Sequence, residues 1–189
     1  MKLLIFSLFA AVSAAGLITA AQAETQNHKA HVHGTAKLIL ALETETTGTI
    51  DLDCAADSII GFEYEAKTKK DQDTRDQAFQ KLRDHAVSVV NFDPSLGCEI
   101  VATKAEMEKE EGKESVADKT AASEKAHGQH SDVNASFNVK CKRPLSGSKV
   151  EIGLIALFPK LKTVSFQVLS SSSQTESTVK NEHTPVSIP

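Results

Sequence analysis

The sequence predicts an α+β fold: a mainly antiparallel sheet with one long amphipathic helix, interrupted by a disordered polar linker. Short stretches of alternating polar and apolar residues, separated by turn clusters, indicate half-buried strands. Residues 71–91 instead carry apolar side chains at spacings of three and four, which is typical of a helix with one buried face. Residues 104–132 contain few large apolar side chains, so they cannot bury enough surface to offset their ordering entropy.

The first 23 residues are typical of a secretory signal peptide. Lys2 precedes an apolar stretch from Leu3 to Ala20, and Ala21-Gln22-Ala23 forms an A-x-A cleavage site. We expect cleavage after Ala23; an uncleaved membrane helix is the weaker alternative because its flanks do not fit. Residues 24–189 then suit a single α+β domain whose flexible, charged and histidine-containing insert spans about 104–132. No other stretch reaches membrane-spanning length.

Both halves of the mature chain follow the order strand, strand, helix, strand. The first half is predicted to form strands at 32–43, 49–54 and 98–103, and the second at 133–141, 150–154, 164–169 and 179–188, with a helical turn at 155–159. A duplicated ββαβ unit and a chance repetition of common elements explain this order equally well.

Composition excludes one class of partner. The chain has 25 acidic against 21 basic residues, a formal net charge of −4. Phosphate groups would be repelled by such a chain, so nucleic acid is excluded as a partner.

Three cysteines, Cys54, Cys98 and Cys141, enter an oxidising compartment on export, where one disulfide is expected. Three pairings are possible, and we favour Cys98–Cys141 because these residues lie in strand-like stretches on either side of the polar insert. Closing that loop is worth about 4 kcal/mol in the chain-entropy model. Cys54 is then expected to be a small buried residue in a strand rather than a reactive thiol.

Two histidine clusters carry the candidate chemistry of the chain. Neutral imidazole is the commonest protein metal ligand, and ligands a few positions apart close on one ion with little loop cost. If the opening strands of the two halves lie side by side, the clusters meet across them, which predicts a divalent-metal site. The candidate ligands are His28, His31, His33, His127, His130 and Asp132. Solvated histidines at strand ends are an equal alternative.

Three functions are compatible with such a site. The leading one is metal binding without catalysis, because neither H-E-x-x-H nor G-x-S-x-G occurs and no paired carboxylates stand in a recognisable pocket sequence. The second is an envelope structural or interaction protein that holds a structural metal. A zinc hydrolase, with imidazole ligands and an open position on the ion, is the least favoured.

Several segments, in order along the mature chain, resemble the ZrgA-like periplasmic zinc-binding proteins. They are His31-Val32-His33-Gly34 running into the first strand, Ile59-Ile60-Gly61-Phe62-Glu63, Cys98, Phe137-Asn138-Val139-Lys140-Cys141, Leu157-Phe158-Pro159 and Val164-Ser165-Phe166-Gln167-Val168. The sequence departs from the family pattern at Tyr64, where histidine is frequent, and at Cys54, which lies near a usual proline. The insert also holds only His127 and His130 in place of a long histidine-rich tract, which lowers the expected number of bound zinc ions.

The resemblance implies a periplasmic protein that binds Zn²⁺ and assists zinc acquisition. It also implies a partner, the periplasmic solute-binding protein of a high-affinity zinc ABC importer. Zinc is preferred over copper or nickel mainly on this ground, since copper binds imidazole sites more tightly.

Overall fold

The computed structural model describes residues 32–109, 130–180 and 184–189. Within these ranges the chain forms nine strands and four α-helices. The strands are β1 (Thr35–Leu42), β2 (Thr47–Ala55), β3 (Val90–Phe92), β4 (Glu99–Lys109), β5 (Ser131–Lys140), β6 (Lys149–Ile152), β7 (Thr163–Leu169), β8 (Gln174–Val179) and β9 (Pro185–Ser187). The helices are α1 (Ala56–Ile59), α2 (Lys69–Asp84), α3 (Ala86–Val89) and α4 (Leu154–Leu157), and a 3₁₀ turn spans Pro94–Leu96.

Two sheets organise the described residues. The larger has the strand order β4-β5-β2-β1-β7-β8, and the smaller has the order β3-β6-β9. All neighbouring strands are antiparallel except β1 and β7, which are parallel. β1 and β2, which correspond to the predicted strands at 32–43 and 49–54, form a hairpin with Leu38 opposite Leu52 and Leu40 opposite Ile50.

The core lies against one face of the larger sheet. Because side chains alternate along a strand, β5 points Val133, Ala135, Phe137 and Val139 to the same side, and all four are buried. The smaller sheet and the helices supply the rest of a single buried apolar cluster, including Leu82, Val150 and Leu154.

The predicted α+β class is wrong, because the molecule is mostly β. Strands make up 45% of the described residues and helical turns 23%. The expected long amphipathic helix over 71–91 does not form as one element. α2 ends at Asp84 and buries only Phe79 and Leu82, α3 is a separate short helix, and Val90 begins a strand. The apolar residues keep a helical spacing across these breaks because α3 and β3 also bury side chains in the core.

Of the two explanations for the similar order of elements in both halves, the sheet topology excludes the duplicated ββαβ unit. A repeat of the β1–β2 hairpin would pair β5 with β6, but β5 lies between β4 and β2 whereas β6 belongs to the smaller sheet. The similar order of elements along the two halves therefore reflects common local patterns rather than a repeated structure.

Both ends of the predicted polar insert at 104–132 belong to strands. Residues 104–109 continue β4 and residues 131–132 open β5, where Lys109 pairs with Ser131. The predicted signal peptide (residues 1–23) and residues 110–129 lie outside the described residues. In the described ranges, no helix is long and apolar enough to cross a membrane.

The predicted disulfide is confirmed, and it lies at the far end of the β4–β5 pair from the insert. Cys98 is bonded to Cys141, next to the paired residues Glu99 and Lys140. The opposite end of the same pair borders residues 110–129. The bond therefore ties together the two strands that carry the insert.

Candidate metal centre

The starts of β1 and β5 lie at the same end of the larger sheet. Both strands are antiparallel to β2, which lies between them, so they run in the same direction. Ala36 pairs with Cys54 and Asp132 pairs with Ala55 at this end. The two opening strands are therefore not direct neighbours, the condition under which the histidine clusters were predicted to meet, yet the residues just before them still come together.

Glu63 fills the gap that β2 leaves between the two histidines. Its Oε1 atom lies 3.1 Å from Nε2 of His33, and its Oε2 atom lies 2.6 Å from Nδ1 of His130. One potential ligand atom from each of the three side chains lies within 4.8 Å of the others. One carboxylate thus links imidazoles from the starts of two strands.

A tight turn aims His33 at this position. Gly34 follows it with φ +78°, a conformation that side chains rarely adopt. The Gly34 amide donates to Oγ of Ser58 at 3.0 Å, and its carbonyl accepts from the backbone N–H groups of Lys162 and Thr163 at 2.7 and 3.1 Å. The backbone beside His33 is therefore anchored to α1 on one side and to the start of β7 on the other.

The segment after α1 brings Glu63 to the site. Gly61 has φ +103° and turns the chain away from α1. Phe62 and Tyr64 then stack on each other, with ring centroids 4.6 Å apart. Glu65 forms an ion pair with Lys109 at 3.2 Å, which lowers the pKa of Glu65 through the hydrogen bond and charge of Lys109. The Gly61 turn and the aromatic stack place Glu63 between the end of α1 and the end of β4, whereas Glu65 faces Lys109 and contacts neither histidine.

A second carboxylate stands behind His33. Oδ2 of Asp57, on α1, lies 3.6 Å from Nδ1 of His33, the ring nitrogen that faces away from Glu63. Oδ1 of Asp57 accepts a hydrogen bond from Nζ of Lys160 at 2.7 Å, and the same ammonium donates to the Gly61 carbonyl at 3.3 Å. Lys160 therefore connects the residue behind His33 with the turn that leads to Glu63.

The site is open to solvent on the imidazole side and shielded on the carboxylate side. The side chains of His33 and His130 are 58% and 62% exposed, whereas that of Glu63 is 13% exposed. Two imidazoles and one carboxylate are a ligand set that zinc accepts, and three protein ligands leave a coordination position open. The arrangement can therefore hold a divalent ion within reach of other molecules.

The structure brings together two of the sequence-predicted ligands, His33 and His130. Asp132 is half-buried on β5, paired with Ala55 and Glu108, and does not belong to the three-residue group. His28, His31 and His127 lie outside the described residues. Glu63 was missed as a ligand, although the Gly61-Phe62-Glu63 segment that carries it was part of the family resemblance.

Cys54 does not take part in this site. The thiol is buried in β2, and burial raises its pKa far above the ordinary value, with further contributions from the charges of Asp53 and Asp132. A thiol that stays protonated is a poor nucleophile and a poor metal ligand, as the sequence analysis expected.

Comparison with known families identifies the family of the chain. The model of a family described as "ZrgA family zinc uptake protein" matches residues 30–188. The chain belongs to this family. Comparison with curated proteins gave no match. The matched region contains His33, Glu63 and His130, so a ZrgA-family chain with a zinc-related role presents a His–Glu–His group at its surface.

Proposed function

We propose that this ZrgA-family protein binds one Zn²⁺ ion through His33, Glu63 and His130 in the periplasm. We further propose that it passes the ion to the solute-binding protein of a high-affinity zinc ABC importer. The observation that carries the proposal is the convergence of these three side chains, from three separate parts of the chain, in a zinc uptake family.

The distances are compatible with zinc after a small closure. Two ligand atoms that each lie about 2.1 Å from a tetrahedral zinc ion are about 3.4 Å apart, whereas the ligand atoms of the present group lie within 4.8 Å of one another. The side chains of both histidines are more than half exposed, so rotation of the rings can bring their nitrogen atoms closer to the ion position. Zinc would replace the protons through which these rings now contact Glu63.

Two features favour transfer over a structural role for the ion. An exposed site with an open coordination position lets a ligand of the acceptor protein bind before the donor ligands leave. The buried apolar cluster and the Cys98–Cys141 bond hold the fold together without any contribution from the site. A structural zinc ion, in contrast, supplies much of the folding free energy itself.

His28, His31, His127 and Asp132 remain proposed auxiliary ligands. His28 and His31 precede His33 by a few positions, and His127 and Asp132 flank His130, so each is tethered to a member of the group. We propose that one of them fills the open position when zinc is bound. Single alanine variants at these four positions, titrated with zinc, identify which one contributes.

Zinc titration of the chain lacking residues 1–23 tests the site. Glu63→Gln, His33→Ala and His130→Ala should each weaken binding by more than about 100-fold, because even changes to residues that only support ligands cost about 10–100-fold. Glu65→Gln is the matched carboxylate control, since Glu65 contacts Lys109 and Lys67 instead of an imidazole. His85→Asn is the histidine control, at the exposed C-cap of α2. If all five variants bind zinc with the same affinity, the zinc site lies at other residues of the chain.

A transfer experiment tests the proposed partner. Zinc-loaded protein is mixed with the zinc-free solute-binding protein, and transfer is compared with release of zinc to a chelator of equal affinity. Faster transfer to the solute-binding protein supports direct hand-over, whereas equal rates would leave only zinc buffering. Sequencing the N-terminus of protein extracted from the periplasm tests export and cleavage after Ala23.

A further inference from the structure

We propose that Asp57, held by Lys160, is the positioning residue that fixes the zinc-binding tautomer of His33. The inference rests on the proposed function, because it concerns how one of the three proposed ligands is prepared for the ion. Asp57 itself does not reach the metal position: it lies on the opposite side of the His33 ring from Glu63.

The argument begins with the two nitrogens of the ring. Nε2 of His33 faces Glu63, so it is the atom that would bind zinc, and it must then present a lone pair. A neutral imidazole carries one proton, which must sit on Nδ1 in this state. Nδ1 faces Oδ2 of Asp57 at 3.6 Å, and a small rotation of the exposed ring brings it into hydrogen-bonding distance. A carboxylate accepts this proton and thereby favours the required tautomer.

Lys160 determines which oxygen Asp57 offers to the ring. Its ammonium occupies Oδ1 at 2.7 Å, which leaves Oδ2 for His33. The carboxylate is also less exposed than the ring, at 28% against 58%, so its interaction with the ring is weakened less by solvent. The next residue of α1, Ser58, accepts from the Gly34 amide, so the same helix fixes both the ring of His33 and the backbone beside it.

An asparagine at position 57 should reverse the tautomer preference of His33. Its single oxygen would accept from Lys160, and its NH₂ group would face Nδ1, which then keeps a lone pair while the proton moves to Nε2. Asp57→Asn should therefore weaken zinc binding by about 10–100-fold, the usual effect of losing such a supporting residue. In the double variant with Lys160→Met, the amide is free to turn its oxygen to the ring, and part of the affinity should return.

A matched control and spectroscopy separate the effect of the lost charge on zinc affinity from the effect of the lost positioning of His33. Glu65→Gln removes the same charge close to the site without touching a ring, and it should change zinc affinity by less than about 3-fold. In ¹H–¹⁵N spectra of the zinc-loaded wild type, His33 should show zinc on Nε2 and a slowly exchanging proton on Nδ1. Asp57→Asn should abolish that slow exchange, and Glu65→Gln should preserve it.

The outcomes are distinguishable from those of the proposed function. Zinc bound to Nδ1 of His33 in the wild type would overturn the inference without any variant, even if Asp57→Asn fails to fold. If the wild type binds zinc and Asp57→Asn shows the same zinc affinity and the same Nδ1–H signal, the inference is overturned. The proposed function then remains intact. A wild-type chain that binds no zinc at all would overturn both.

Discussion

The Nδ1 atom of His130 lies 2.6 Å from Oε2 of Glu63, although 67 positions separate the two residues in the chain. This contact joins the first residue described after the insert to the irregular segment that follows α1. It places a ring nitrogen against a carboxylate oxygen at the surface, where an ion can replace the shared proton.

Zinc should stabilise the protein without being required for its fold. Zinc at 100 times its dissociation constant should raise the free energy of unfolding by about 2.7 kcal/mol, because it binds the folded state alone. A chelator should remove this increment but leave the chain folded, since the core does not depend on the site. Thermal unfolding followed by circular dichroism measures both effects. Complete unfolding by the chelator would indicate a structural ion instead.

Zinc affinity should fall as the pH is lowered. Imidazole must lose its proton to bind the ion, and unperturbed histidine titrates near pH 6.5. With two imidazole ligands, affinity should decrease by up to about 100-fold per pH unit below this value and change little above it. Titrations at pH 7.5 and 5.5 give the ratio. The same affinity at both would contradict imidazole ligation, whereas His85→Asn should reproduce the wild-type ratio.

Gly34→Ala should weaken both the fold and the site. The residue has φ +78°, and an added Cβ would lie 3.2 Å from the Lys160 carbonyl oxygen. The backbone conformation alone costs about 1–2 kcal/mol, and the displaced turn carries His33 with it. Gly147→Ala is the matched control, because it has the same φ but nothing lies within 4 Å of its added Cβ. Both variants should lose stability, but only Gly34→Ala should lose zinc affinity.

Removal of the disulfide should affect stability and leave zinc affinity unchanged. The Cys98–Cys141 bond spans 43 positions, and its loss in the double serine variant should cost about 4 kcal/mol in the chain-entropy model. The site lies at the other end of the ten-residue strand β5, about 30 Å away. Denaturant unfolding and zinc titration of the same variant measure the two effects. A large loss of zinc affinity in a double serine variant that is still folded would contradict the independence of the site from the disulfide.

Thr68→Ala should destabilise the start of α2. The Thr68 hydroxyl accepts from the Asp71 amide at 3.1 Å and donates to the Asp71 carboxylate at 2.6 Å. Loss of such a cap costs about 1 kcal/mol. The hydroxyl also lowers the pKa of Asp71, so its stabilising effect is present above the ordinary aspartate pKa and is lost as the pH falls through the lowered one. The variant should show a higher Asp71 pKa by carboxyl NMR; Thr74→Ser, outside the cap, should not.

Local sequence patterns predicted the strands better than the fold class. Alternation placed β5 at 133–141 and the structure has Ser131–Lys140, because each apolar side chain there faces the core. The smaller sheet was missed in part because β3 is only three residues long and continues the spacing of the preceding helices. The hydrophobic pattern alone cannot distinguish a short helix from a short strand that follows it when both bury side chains in the same core.

The site was predictable only where its residues cluster in sequence. His33 and His130 stood out because other histidines are close to each of them. Glu63 lies in a segment with no periodicity, and its position between the rings depends on Gly61, on the Phe62–Tyr64 stack and on the place of β2 between β1 and β5. These are tertiary relationships, which a pattern of neighbours along the chain does not contain.

The position of β2 between β1 and β5, the strands that follow the two histidines, has a consequence for chains that are still folding. The His–Glu–His group joins the residues just before β1 and β5 to the segment after α1, so it forms only when the long-range pairing of β1, β2 and β5 is complete, and such pairing is a slow step in folding. An unfinished chain offers only scattered imidazoles with weak affinity. If the proposed function holds, tight zinc binding is therefore expected only of molecules whose larger sheet is complete.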